Sequence, residues 1–81
     1  MKLEETVLDM ISDDYVLRFK AEYNQLCIRL EKLTRIIEKA TANEVTFDKE
    51  ESLKLLEAQA ETMKNYKKIL ETRADNEGVR L

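Results

Sequence analysis

Gln59, Tyr66 and Arg73 recur every seven residues and so form one row along a helix, with Tyr15 and Tyr23 available from an earlier segment. A tyrosine ring can stack on a base, and a guanidinium can grip a phosphate through paired N–H donors. A second set, Arg29, Lys32, Arg35 and Lys39 with Arg18 and Lys20 upstream, offers further donors to an anionic ligand. Each set also has a plain structural reading. Tyr and Arg fill helix flanks with their apolar stems, and lysines commonly occupy the wet side of an apolar seam. Little else in the chain could do chemistry. There is no His, so the usual base near neutral pH is missing. Cys27 has no imidazole to activate it and reads as a small buried hydrophobe. The carboxylate pairs Glu4/Glu5, Asp13/Asp14 and Glu50/Glu51 are adjacent in sequence and therefore diverge on a helix. A single glycine, Gly78, cannot build a phosphate-cradling loop. These absences point to a non-enzymatic protein without metal or cofactor.

The elements that must position these residues are long helices. Val16, Phe19, Tyr23, Leu26, Leu30, Leu33, Ile37 and Ala40 follow an unbroken 3-4 spacing, an apolar seam that must lie against another helix. The pattern predicts a short amphipathic helix over about 2–11, carried by Leu3, Val7, Met10 and Ile11. A break follows at Ser12-Asp13-Asp14, whose side chains favour N-caps. A long helix over about 14–42 and a third over about 48–75 follow, with a frayed tail at 76–81. Asn43 is a candidate for the end of the second helix, and Asp48 with Glu51 resembles a capping box for the third. On the third helix Leu56, Met63 and Leu70 form the centre line, flanked on one side by Leu53, Ala60, Lys67 and Ala74 and on the other by Gln59, Tyr66 and Arg73. The expected fold is all-α: a short N-terminal helix and a long antiparallel two-helix hairpin, one domain over 1–81. Leu17, Ile28, Ile36, Leu55 and Ile69 fall off the seams, so the hairpin carries more apolar surface than one pair of stripes uses. The short helix can cover part of it, and oligomerisation into a larger helical bundle the rest.

The 81 residues carry a net charge of −3, too little positive charge for general nucleic-acid binding. Within that acidic chain residues 14–42 are locally basic, with six Lys/Arg against four acids. One cysteine cannot staple the chain, no apolar run approaches a membrane span, and the acidic N-terminus lacks the apolar stretch of a signal peptide. A cytoplasmic location, in the host cytosol if the protein is viral, is the expectation.

The order Arg18…Glu22-Tyr23-x-x-Leu26-x-x-Arg29-Leu30-x-Lys32-Leu33, then Leu55-Leu56-x-x-Gln59-x-x-x-Met63-x-x-Tyr66-x-x-x-Leu70-x-x-Arg73, resembles a family of small phage helical-hairpin proteins named after a crAss-like phage protein. That family is similar in turn to the hairpin domain of anti-CBASS and anti-Thoeris sponge proteins. The resemblance covers about residues 15–74. It implies a compact homo-oligomer, typically a hexamer, that sequesters a cyclic di- or trinucleotide or a related signalling nucleotide in pockets between subunits and breaks no bond. Aromatic rings would stack on bases and Lys/Arg would hold phosphates. Side-chain chemistry, rather than correspondence with the sponges, selects Tyr15, Arg18, Tyr66 and Arg73 as the ligand-binding set. Two other readings remain open: a helical interaction module that binds and inhibits a host protein, and a purely structural oligomer.

Overall fold

Asp14 starts the scaffold. Its backbone is extended (φ −77°, ψ 117°), and its carboxylate accepts hydrogen bonds from the N–H groups of Val16 (2.8 Å) and Leu17 (3.3 Å). Two otherwise orphaned donors are satisfied, and a helix begins at the next residue. The computed structural model describes residues 1–42 and 50–81. A 3-10 turn, Leu3–Thr6, runs into one α-helical turn, α1 (Val7–Met10); α2 spans Tyr15–Thr41 and α3 spans Glu50–Glu77. Asn43, Asp48 and the expected start of the third helix lie outside the described residues. Asp14→Ala removes the cap and should lower stability by about 1 kcal/mol, read as a shift of the urea midpoint at unchanged slope.

Residues early in α2 meet residues late in α3. Phe19 and Leu26 share a buried cluster with Leu70 and Ala74, and further along α2 Leu30 and Leu33 pack with Ala60. Tyr23 donates to Glu71 across the pair at 2.8 Å. The α2 seam is thus largely buried, with Phe19 only 3% exposed. On α3 the core sits to one side of the expected centre line: Ala60, Leu70 and Ala74 are buried, Leu56 and Met63 half-buried, and Gln59, Tyr66 and Arg73 exposed. Cross-helix size matching explains the offset. Ala74 gives room to the bulky Phe19 and Leu26, and Ala60 gives room to Leu30 and Leu33.

The N-terminal segment docks differently from its apolar pattern. Thr6 is buried; its hydroxyl donates to the Leu3 carbonyl (2.7 Å) and accepts from the Gln25 side-chain amide (2.8 Å). Val7, Met10 and Ile11, expected on the inner stripe, are 50%, 40% and 73% exposed. The 3-10 turn is the cause. At three residues per turn Leu3 and Thr6 eclipse each other, and the inward side moves off the α-helical register.

The other end is tied down as well. α3 runs to Glu77, Gly78 adopts φ +72°, and the Val79 N–H reaches back to the Ala74 carbonyl at 2.8 Å while that of Gly78 meets Asp75. This is a Schellman motif, which needs a left-handed residue and so a glycine. It folds Val79 onto the Phe19–Leu70 cluster, where the sequence suggests a frayed tail.

Candidate functional site

Three of the four candidate side chains converge where the start of α2 meets the end of α3. Tyr15 is the first residue of α2 and Arg18 stands one turn later, both oriented by the Asp14 cap; Arg73 comes from the last turns of α3. They line one groove of about 370 Å³, whose remaining wall is Met10, Phe19 and Glu22. Tyr66 does not line it. Its ring is 40% exposed on α3, two turns before Arg73 on the same flank.

The groove is held by a polar chain between the helices. The Arg73 Nη2 donates to the Tyr15 hydroxyl (2.9 Å), which donates in turn to Glu77 Oε1 (2.6 Å), and Arg73 Nε contacts Glu77 Oε2 at 3.4 Å. The Arg73 guanidinium lies 4.9 Å from the centroid of the Phe19 ring, within cation–π range, and the Tyr15 and Phe19 rings stand 6.0 Å apart at 60°. Arg18 donates one N–H to the Ser12 carbonyl at 2.8 Å. A guanidinium has five donors, so Arg18 keeps capacity for an anion. Glu22 is the one acid in the lining against Arg18 and Arg73, and Glu77 behind the wall offsets part of the Arg73 charge.

These contacts shift the titrating groups. The bond to Glu77 raises the Tyr15 phenol above its ordinary value, with loss of solvent adding to it. Burial, then the Glu71 bond, then Cys27, push Tyr23 up further. Partial desolvation works to lower Arg73, but Tyr15 and Glu77 outweigh it and the guanidinium pKa is raised. Both phenols are favoured neutral in the folded chain, so their contribution to stability is complete below the ordinary phenol value of about 10 and is lost as pH rises past it. We expect the urea midpoint to fall above that pH, and the double variant Tyr15→Phe, Tyr23→Phe to remove much of the fall.

Two other regions compare poorly as anion sites. A larger groove of about 900 Å³ is enclosed by Tyr23, Glu71, Ala74, Asp75 and residues 78–81, and its two acids outnumber Arg80. Arg29, Lys32, Arg35 and Lys39 are exposed along α2, and Arg35 is engaged by Glu31 one turn back. Cys27 is half-buried and free. Among the described residues no cluster of three or more His, Cys, Asp or Glu is placed to hold a metal ion, and no helix is long and apolar enough to cross a membrane.

Met10 and Glu22 in the groove wall, and Glu77 behind it, are residues that sequence reasoning misses. Only Glu77 left a signal: Gly78 after it marks the helix end and so places Glu77 on the last turn, one turn beyond Arg73.

The groove thus brings two guanidiniums, one carboxylate and two aromatic rings together on packed helices. The chain belongs to the Sequestin family, whose model matches residues 13–76. The family name points to the sequestering of a ligand. No curated protein and no solved structure matches the chain.

Proposed function

We propose that this protein sequesters a cyclic nucleotide immune signal without altering it, as a phage anti-defence protein acting in the cytosol of the infected cell. The observation that carries the reading is the presence of Arg18 from α2 and Arg73 from α3 in the lining of one groove with the Tyr15 and Phe19 rings. Two fixed guanidiniums suit a ligand with more than one phosphate, and the Tyr15 ring offers a face to a base. Membership of the Sequestin family supports holding over catalysis. The two long helices form an antiparallel hairpin, and copies of it assemble into a homo-oligomer. Tyr66 stands outside the groove and reaches a ligand only where copies meet.

The reading separates binding from turnover. A cyclic dinucleotide or cyclic ADP-ribose isomer incubated with the protein should leave free solution, and heat denaturation should return it chromatographically unchanged. Recovery of a cleaved product would overturn the proposal, as would failure of every nucleotide to leave solution.

A further inference from the structure

α3 has three faces. One packs on α2, and one carries six of the seven charged residues that lie between positions 52 and 72, the seventh being the half-buried Lys67 at the core's edge. The third, centred on Leu55, Thr62 and Ile69, has no charge from 55 to 69 and is exposed along its length: Leu55 is 71% exposed, Ile69 58% and Tyr66 40%. In a chain that is 38% charged, about 21 Å of uncharged exposed helix face calls for a cover.

The pattern on this face is complementary to itself about Thr62. Three residues to either side stand the amides Gln59 and Asn65; four to either side, the small Ala58 and the large Tyr66; seven to either side, Leu55 and Ile69; eleven to either side, Glu51 and Arg73. We propose that the face docks on a second copy of itself, with the two α3 helices antiparallel about a twofold axis at Thr62. Leu55 then packs on Ile69 of the second copy and Tyr66 covers its Ala58, a large residue against a small one. Gln59 lies along one flank of the contact and Asn65 along the other, amides that can both donate and accept. Glu51 and Arg73 of opposite copies meet at the two ends with opposite charge. The Thr62 hydroxyl already donates to the Ala58 carbonyl at 3.0 Å, so nothing polar is stranded at the axis.

This inference rests on the reading of the chain as an oligomer and not on what the groove holds. It makes Tyr66 a residue of the contact between copies, two turns from the groove that Arg73 lines. Substitution of Tyr66 therefore weakens assembly first and ligand binding second.

The geometry gives a sharp test. Helices packed about 10 Å apart with Cα atoms about 2.3 Å from each axis bring facing Cα atoms to about 5.4 Å, inside the range a disulfide spans. In a Cys27→Ser background, Thr62→Cys should give a disulfide-linked dimer under mild oxidation. Glu61→Cys, one residue along but about 100° round the helix, should not. Thr62→Glu and Thr62→Lys should each weaken self-association at least about tenfold by setting like charges face to face, and their equimolar mixture should restore it. Equal cross-linking at both positions, an oligomer that cross-links at neither, or a mixture that fails to reassociate would overturn the twofold contact while leaving nucleotide binding to be judged separately. A monomer at all concentrations would remove both the contact and the assembly.

Discussion

Leu70→Ala should cost about 2–5 kcal/mol, the range for emptying a fully enclosed leucine site. Leu70 is 0% exposed and sits between Phe19, Leu26 and Ala74, with Tyr23, Met63 and Val79 closing round it. Those neighbours belong to both long helices and to the Schellman turn, so they cannot all move inward to fill the space. A chain of this size has roughly 4–12 kcal/mol in total at about 0.05–0.15 kcal/mol per residue. One truncation therefore removes a large share of it and should lower the melting temperature by at least about 8 °C. Leu8→Ala deletes the same atoms from a side chain that is 79% exposed, and should change stability by less than about 0.5 kcal/mol. Urea unfolding of the two variants at one protein concentration decides the matter. Equal midpoints would mean that the Phe19–Leu70 cluster is not the centre of the fold.

Arg73→Ala should have the largest effect on ligand binding. A hydrogen bond to a charged group contributes about 1.5–3 kcal/mol, so losing the guanidinium should raise the Kd of a bound nucleotide by roughly ten- to a hundredfold. Its structural role is smaller. The Arg73–Glu77 pair is exposed, 46% and 37% at the two side chains, and such pairs contribute little to stability. The variant should thus remain folded by circular dichroism while it binds roughly ten- to a hundredfold more weakly. Arg73→Lys separates charge from shape, because an ammonium keeps the charge and lacks the planar fork. It should recover part of the affinity and no more. Full affinity in Arg73→Ala would place the ligand elsewhere in the molecule.

The scaffold was more legible than the site, for physical reasons. The α2 seam repeats the helical period, and burial follows it at Phe19, Leu26, Leu30 and Leu33. Asp14 could be read as a cap because its oxygens serve its own helix, a local interaction that sequence encodes directly. The position of the core on α3 could not be read so. It depends on which α2 side chains face Ala60 and Ala74, and size matching across helices has no signature within one helix. Thr6 was hidden for a similar reason: its partner Gln25 is distant in sequence, and the 3-10 turn shifts the register that the apolar residues suggest. At the groove, Tyr15, Arg18 and Arg73 were selected by side-chain chemistry and are brought together, whereas Tyr66 shares a flank with Arg73 and faces solvent. Arg73 differs because its side chain is long enough to reach the Phe19 ring from an exposed flank.

Isothermal titration of the purified protein with a panel of cyclic di- and trinucleotides and cyclic ADP-ribose isomers tests the central claim most directly. Saturable binding of at least one of them, weakened at least about tenfold in Arg73→Ala, is the predicted result. No heat and no thermal shift with any of them, or binding that Arg73→Ala leaves intact, would contradict it.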